Sequence, residues 1–312
     1  MTLLKAPSEI RANEFLFGDT DYLFHSKTFF DLNASNGDVF LELETGKNRG
    51  IACYFNQSLD GKWYSPLKGT FAGPSSIGKV SDEDYMLAIG LFEQYLRSIG
   101  ATEIHYLLPP LYLSPGPISF THYLLQSCDY INYRTDLNYH VEVSDVPFEK
   151  MLSSSKRNGL SKPIMQEVTT KKLGNVDFDA LYDLLHNNRK KLGAELSMKR
   201  DDLLALLSHF PDNILMVGSY FEEALVSAAF CMKIRADTLY VFYWGNQPSC
   251  QLPNPILPVA RFLYQWCQQK KISYLDLGTS TIGAESNWNL MFFKKSLGAS
   301  ETIKCRFKKS WK

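Results

Sequence analysis

The stretch YLDLGTSTIGAESNWNLMFFKKSLGA, residues 274–299, is the most informative part of the chain. Its apolar start predicts a strand over residues 274–277, and the Gly-Thr-Ser sequence that follows predicts a turn. A helix is predicted over residues 287–297, and Gly298 is the kind of residue that ends many helices. In an open α/β sheet, ligands bind beyond the ends of such strands. We therefore expect a functional site at this turn.

Polar side chains and one glycine mark the expected site. Asp276 and Ser280 lie where the strand ends, and Gly278 lies in the turn between them. We predict that Asp276 and Lys294 act in catalysis, because a carboxylate can accept or orient an amine proton and an ammonium can neutralise phosphate. Gly278, Ser280 and Lys295 are predicted to contact substrate. Alternatively, Asp276 binds backbone N–H groups of its own turn, and one of the two lysines lies on a solvated helix face.

This stretch resembles the Fem-type branch of the GNAT-fold acyltransferases. The motifs that carry the resemblance are the strand-end residues named above, then Phe293-Lys294-Lys295 and Gly298-Ala299. Members of this branch join an amino acid or another acyl group to an amine. The resemblance covers most of the second half of the chain and is looser in the first half. It implies an α/β fold with mixed sheets, built from tandem duplicated GNAT-like domains.

The order of predicted elements repeats along the chain with an offset of about 170 residues. In each half, antiparallel strands precede a helix, a strand, a second helix and a last strand. We therefore predict two domains, residues 1–146 and residues 147–312. Helices are predicted over residues 82–100, 120–127, 178–192, 199–209, 258–271 and 287–297, and strands over residues 103–108, 137–143, 214–220, 224–234, 238–244, 274–277 and 302–307.

Composition limits the class of protein. The 312 residues carry 33 basic and 33 acidic side chains, so the net charge is zero and gives no general attraction to nucleic acid. Six cysteines form no C-x-x-C motif and six histidines form no metal-ligand spacing, so we expect no metal. No apolar stretch reaches the roughly 20 residues that span a bilayer, and the start lacks a signal-peptide core. We predict a cytoplasmic protein without a membrane span.

Further candidate residues lie around the strand predicted over residues 238–244. Side-chain alternation sends Tyr243 to one face and Trp244 to the other, next to Gly245. Tyr243 is predicted to be catalytic, and Trp244 and Asn246 to bind substrate. Arg157 resembles an arginine near the start of the Fem-type second domain, which implies a substrate contact, although an ordinary surface arginine fits equally well. Arg189 and Lys190 could touch an acidic donor or simply lie at an exposed helix end.

The acyl donor is the least determined part of the prediction. Acetyl-CoA-dependent GNAT domains hold the pyrophosphate on a glycine-rich turn before the central helix. Here residues 245–255 contain one glycine and three prolines, and proline has no N–H to donate. The donor could therefore be aminoacyl-tRNA, as the resemblance implies, or an acyl group on CoA or on a carrier. No cofactor is firmly implied.

A glycine- and serine-rich stretch in the first half offers a second phosphate-binding hypothesis. Residues 69–78, GTFAGPSSIG, contain three glycines and two serines before the helix predicted over residues 82–100. They could cradle a phosphate, but a glycine-rich hairpin end explains the same pattern. The resemblance suggests that this stretch, which follows Ser65-Pro66, faces the acceptor.

The sequence thus predicts an N-acyltransferase or aminoacyltransferase. The resemblance implies an amine acceptor bound between the two GNAT-like domains, either a small molecule or a cell-wall-precursor-like amine, with aminoacyl-tRNA as one partner. Catalysis would come mainly from holding amine and activated acyl group together, with backbone N–H groups stabilising the oxyanion. The alternative is a non-catalytic ligand-binding protein on the same duplicated scaffold, because a fold does not fix a function.

Overall fold

The computed structural model describes residues 10–14, 22–66, 68–282 and 285–311. The chain divides into two compact units. The first unit contains the described residues up to Leu137 together with the C-terminal strand from Thr302 onward, and the second contains Asn138–Glu301. Within the described segments, no helix is both long enough and apolar enough to cross a membrane.

The first unit is built from a sheet with two longer helices on one face and a short one elsewhere. Its elements are β1 (Ile10–Ala12), α1 (Lys27–Asn33), β2 (Val39–Gly46), β3 (Arg49–Gln57), β4 (Lys62–Ser65), β5 (Ser75–Ile77), α2 (Asp82–Ser98), β6 (Glu103–Leu107), α3 (Pro115–Ser127), the first part of β7 (Ile131–Glu142) and most of β15 (Ser300–Ser310).

The strands of the first unit follow the order β1-β2-β3-β4-β6-β15-β7, with β5 attached to β3. The pair β4 and β6 is parallel, whereas the pairs β1/β2, β2/β3, β3/β4, β3/β5 and β6/β15 are antiparallel. Helix α2 packs Tyr85, Ile89, Phe92 and Leu96 into the core, as the i, i+4, i+7, i+11 spacing predicts. Ser81 caps its N-terminus, since Ser81 Oγ accepts the Asp84 N–H at 3.1 Å.

The second unit has a six-stranded sheet with helices before and between its strands. Its elements are the second part of β7, α4 (Phe148–Met151), α5 (Ser154–Leu160), α6 (Pro163–Gln166), β8 (Thr169–Lys172), α7 (Phe178–Lys191), α8 (Arg200–His209), β9 (Ile214–Phe221), β10 (Ala224–Arg235), β11 (Thr238–Asn246), α9 (Leu257–Lys270), β12 (Tyr274–Thr279), β13 (Thr281–Ile282), β14 (Glu285–Ser286) and α10 (Trp288–Ser296).

The sheet of the second unit has the order β7-β12-β11-β10-β9-β8. Strands β8 to β11 form an antiparallel meander, β11 and β12 are parallel, and β12 pairs with β7 in antiparallel fashion. Helix α9 buries Val259, Leu263 and Cys267 fully. This is the order of two helices, three antiparallel strands, helix, strand and helix that the sequence predicts for a GNAT domain.

The predicted halves differ from the two units in two segments. Residues 138–146 lie in the second unit, because β7 pairs with β12 and because the Tyr264 hydroxyl donates to the carbonyls of Ser144 and Val146. The C-terminal strand from Thr302 lies in the first unit, because β15 pairs with β6. The last strand of each half therefore belongs to the sheet of the other half. Helix α3 also starts earlier than predicted, at Pro115, a residue that suits the first helical turn.

Candidate functional site

Strands β11 and β12 separate in the middle of the second unit. They pair only over Thr238–Tyr240 and Tyr274–Asp276, although β11 continues to Asn246 and β12 to Thr279. Each strand carries an irregularity at this point: the pairing of β11 with β10 skips Phe242, and the pairing of β12 with β7 skips Leu277. Bulges of this kind redirect a strand. No pairing joins the two strands beyond Tyr240 and Asp276, and we call this unpaired part the opening.

Gly278 is the residue that turns β12 at this opening. Its φ of +74° lies in the left-handed region, and a Cβ atom there would sit 3.3 Å from the Tyr240 ring. Asp276, only 1% exposed, holds the turn. Its Oδ1 accepts the Gly278 N–H at 2.7 Å and the Asn138 side-chain amide at 3.0 Å. Asp276 thus accepts a backbone N–H of its own turn, as the alternative hypothesis predicts.

Lys294 binds the same turn from the other side. Its Nζ donates to the carbonyl oxygens of Gly278 and Thr279, both at 2.8 Å, and the residue is 1% exposed. The bulge in β12 makes this possible, because it brings two successive carbonyls to one ammonium group. An ammonium has three N–H donors, so one remains for a further acceptor. The predicted partners Asp276 and Lys294 therefore meet at Gly278.

Burial and neighbouring charges set the protonation of this lysine. Burial lowers the pKa of Lys294 from its usual 10.5 to about 7, Asp276 opposes the shift, and Arg189 adds to it. The two carbonyl hydrogen bonds favour the charged form. Near neutral pH, the protonated and the neutral form of Lys294 are therefore both populated.

Two buried hydroxyl groups lie on the same segments. Ser280, which follows β12, and Tyr139, which pairs with Gly278 from β7, are both fully buried. Neither Ser280 Oγ nor the Tyr139 hydroxyl has a hydrogen-bonding partner within the described part of the chain. The Tyr139 ring centre is 5.8 Å from Lys294 Nζ. Buried polar groups without partners are uncommon, and they mark positions where a ligand or water can bind.

The fold has close counterparts among solved structures. FemX matches with a TM-score of 0.70 over 93% of this chain and 92% of its own, at 8% identity. L-PGS from Bacillus licheniformis matches with a TM-score of 0.55, 12% identity, and coverage of 82% and 80%. A tandem GNAT protein from the clavulanic acid biosynthesis pathway matches with a TM-score of 0.51, 8% identity, and coverage of 88% and 82%. The chain has the Fem-like tandem GNAT fold. No family model and no curated protein sequence matches it.

Within this Fem-like GNAT fold, Tyr243 and Trp244 occupy opposite faces of β11, as alternation predicts. Tyr243 is buried, and its hydroxyl bonds Ser197 Oγ at 2.5 Å and accepts the Met198 N–H at 3.0 Å. Burial raises the pKa of Tyr243. Trp244 is half-buried, and its ring centre lies 5.5 Å from that of Phe293 on α10. Tyr243 therefore joins β11 to the segment before α8, and Trp244 joins β11 to the helix of Lys294.

The remaining predicted site residues have other partners in the Fem-like GNAT fold. The Asn246 carbonyl accepts the Asn188 side-chain amide at 2.8 Å, at the open end of β11. Arg157 is exposed and donates to the backbone carbonyls of Glu149 and Leu152. Lys295 is half exposed and pairs with Glu301 at 2.9 Å. One lysine of the pair is therefore solvated and the other buried, as the sequence suggested.

Two residues of the site were not predicted from the sequence, and the role of a third was left open. Asn138 and Tyr139 lie on β7, which the sequence assigned to the other half. Arg189 lies near the end of α7, and its charge adds to the lowering of the Lys294 pKa by burial and partly opposes the rise of the Tyr243 pKa by burial. The Arg189-Lys190 pair at a helix end was the only available signal. No local pattern connects residues 138 and 139 to residue 278.

Proposed function

We propose that the protein is an N-acyltransferase or aminoacyltransferase whose reaction takes place where β11 and β12 separate. The observation that carries the proposal is the buried Lys294 ammonium, held by the carbonyls of Gly278 and Thr279 at the start of that opening. The Fem-like GNAT fold supports acyl transfer as the general class of reaction. Donor and acceptor are proposals from the sequence: aminoacyl, CoA-bound or carrier-bound acyl groups, and a small or cell-wall-precursor-like amine.

The proposed step is an addition followed by an elimination. The acceptor nitrogen attacks the acyl carbonyl carbon, and a C–N bond forms as the carbonyl oxygen gains negative charge. The C–O bond of an ester donor, or the C–S bond of a thioester donor, then breaks. The amine proton passes to the departing oxygen or sulfur. The third N–H of Lys294 stabilises the oxyanion in a site from which water is largely excluded.

Asp276 acts in this scheme as a positioning residue. It is 1% exposed, and its Oδ1 accepts hydrogen bonds from Gly278 and Asn138, so the scheme gives it the task of holding the turn and no proton transfer with substrate. Its negative charge raises the pKa of Lys294 and so favours the ammonium form. Ser280 and Tyr139 offer hydroxyl groups to the donor or acceptor, and Arg189 adds positive charge for an acidic donor.

The test measures acyl transfer by mass spectrometry with the purified full chain. The donors are mixed aminoacyl-tRNA, acetyl-CoA and an acyl carrier protein, and the acceptors are amino sugars, diamines and lysine-containing peptides. We expect one donor class to give a product heavier by one acyl residue. Lys294→Met should lower the rate about 10²–10³-fold, the usual effect of removing an oxyanion donor. Lys295→Met is the matched control and should keep most of the activity.

Two results would contradict the proposal. One is a Lys294→Met variant that is as active as the wild type. The other is the absence of transfer with every donor while an amine or a donor still binds saturably. The second result would favour the alternative, a non-catalytic binding protein on the same scaffold.

A further inference from the structure

The first unit contains a cavity of about 510 Å³ that the proposed acyl transfer does not use. Its wall is formed by β5, the first turns of α2 and α3, the segment after β6, and two side chains that precede α1. The volume lies in the range of small-molecule sites, about 300–1,000 Å³. Apolar and aromatic groups, among them Leu108, Ile118 and Phe120, make up much of the wall, which suits a ligand with an apolar body.

Asp82 gives this cavity a negative charge. Among the described residues of the wall it carries the only formal charge, because burial lowers the pKa of His25 to about 4 and keeps that ring neutral. Asp82 is exposed, and within the described chain its carboxylate has no ion-pair partner. The N-terminal end of α2, on which it lies, opposes it with only about half an elementary charge. Glu83 and Asp84 follow in the same turn and add negative charge, so the cavity favours a cation.

The wall also lacks the groups that an anion needs. No lysine or arginine of the described chain lines it. Three of its hydroxyl groups, those of Tyr85, Ser114 and Thr121, already donate their protons to backbone carbonyls at 2.7–2.9 Å. Helix α3 has prolines at 115 and 117, which cannot donate a backbone N–H. A carboxylate or phosphate would therefore find no cation and few donors, and the carboxylate of α2 would repel it.

A cation gains more from the rest of the wall than a neutral molecule does. Tyr22, Tyr85 and Phe120 contribute aromatic rings, whose faces attract an ammonium group. A hydroxyl oxygen that has donated its proton keeps lone pairs for an incoming N–H, and a protonated primary amine offers three such donors. A neutral molecule of the same shape brings fewer donors and no charge.

We propose that this cavity binds a molecule in which a protonated primary amine is joined to an apolar or aromatic body, and that Asp82 pairs with the ammonium group. The apolar side chains of the wall cover the body, and the carboxylate at the start of α2 neutralises the charge. The cavity lies wholly in the first unit, so the proposal does not depend on acyl transfer in the second unit.

The first experiment compares tryptamine, tryptophol and indole-3-acetate at pH 7.5 by saturation-transfer NMR with the full chain. The three probes share an indole ring and a two-carbon side chain, and they carry charges of plus one, zero and minus one. We expect tryptamine to bind saturably, with a dissociation constant on the order of millimolar for so small a ligand. Tryptophol and indole-3-acetate should bind at least about fivefold more weakly. Equal or stronger binding of either, or no binding of tryptamine, would overturn the proposal.

Two variants then locate the ammonium group. Asp82→Asn keeps the shape of an exposed side chain and removes the charge of the wall, so it should weaken tryptamine at least about fivefold and leave tryptophol unchanged. Glu83→Gln is the matched control, because it makes the same change of charge in the same helical turn at an exposed residue outside the wall. It should change tryptamine binding less than about twofold. If Asp82→Asn binds tryptamine as the wild type does, or if Glu83→Gln weakens it equally, Asp82 does not hold the amine and the proposal fails.

Discussion

Each unit contains a parallel strand pair among its described residues, and the groups at which the two pairings end differ in chemistry. In the first unit, β4 and β6 end their pairing at Ser65 and Tyr106. In the second unit, β11 and β12 end theirs at Tyr240 and Asp276. An aromatic residue thus occupies in the first unit the place that a buried carboxylate occupies in the second.

The groups that surround the end of each parallel pairing also differ in charge. Ser65 is fully buried, and its Oγ accepts the Gly73 N–H at 3.0 Å and contacts the Cys53 thiol at 3.2 Å. Those groups are neutral. In the second unit, a buried carboxylate and a buried ammonium both bind at Gly278. The pairing therefore ends at a neutral site in the first unit and at a charged site in the second, and a function follows such residues and not the fold.

The largest expected effect is the loss of stability when the buried polar side chain at the end of each parallel pairing, Asp276 or Ser65, is replaced by alanine. Asp276→Ala leaves the Gly278 N–H and the Asn138 amide without their acceptor and removes the negative charge near Lys294, so we expect a loss of about 3 kcal/mol. Ser65→Ala removes one neutral acceptor and should cost about 1 kcal/mol. Urea unfolding of both variants measures the two values. Equal losses would show that the charged groups of the second unit contribute no more to the free energy of unfolding than the neutral groups of the first unit do.

A smaller effect is expected from the turn itself. Gly278→Ala places a Cβ atom at a φ of +74° and 3.3 Å from the Tyr240 ring. Backbone strain and this contact together should cost about 2 kcal/mol. Gly100→Ala in the first unit is the control, since its φ is +94° but its Cβ would meet nothing within 4 Å. It should cost about 1 kcal/mol. If Gly100→Ala proves the more harmful change, the Tyr240 contact is not restrictive.

Sequence patterns predicted the local elements of the fold well, for physical reasons. Helices α2 and α10 were expected because their apolar spacing and their end residues lie within a few turns of each other. The turn after residue 277, the convergence of Asp276 and Lys294, and the exposure of one lysine of the 294–295 pair could be inferred in the same way. All of these depend on residues that are close along the chain or on a single strand–turn–helix unit.

The rest of the site depends on contacts between distant parts of the chain. Asn138 reaches Asp276 across 138 residues, because β7 joins the sheet of the second unit. Nothing in the sequence around residue 138 marks that choice, and the same holds for β15 in the first unit. For Arg157, in contrast, the resemblance implied a substrate contact, and the structure shows contacts with residues nearby along the chain. Its guanidinium donates to nearby backbone carbonyls, a role that a resemblance cannot distinguish from binding.

The smallest expected effect is a pH dependence of stability that arises in the charged site. The pKa of Lys294 is about 7 in the folded chain, against 10.5 as the ordinary value. Between those two values the unfolded chain binds more protons than the folded chain, so the free energy of unfolding must rise with pH. Below pH 7 both states are protonated, and this contribution no longer changes with pH. For one proton the slope cannot exceed about 1.4 kcal/mol per pH unit.

We therefore expect that between pH 7.5 and pH 9.5 the wild type gains about 1 kcal/mol per pH unit relative to Lys294→Met. Urea unfolding at three pH values measures this difference, in which the titration of all other groups cancels. Lys295→Met is the control and should give a curve parallel to the wild type, because Lys295 is solvated and its pKa is raised by Glu301. If the wild-type and Lys294→Met curves run parallel, Lys294 keeps an ordinary pKa and remains fully charged. The lowered pKa of Lys294 would then have to be given up, whereas the geometry at Gly278 and the contrast with the neutral groups of the first unit would stand.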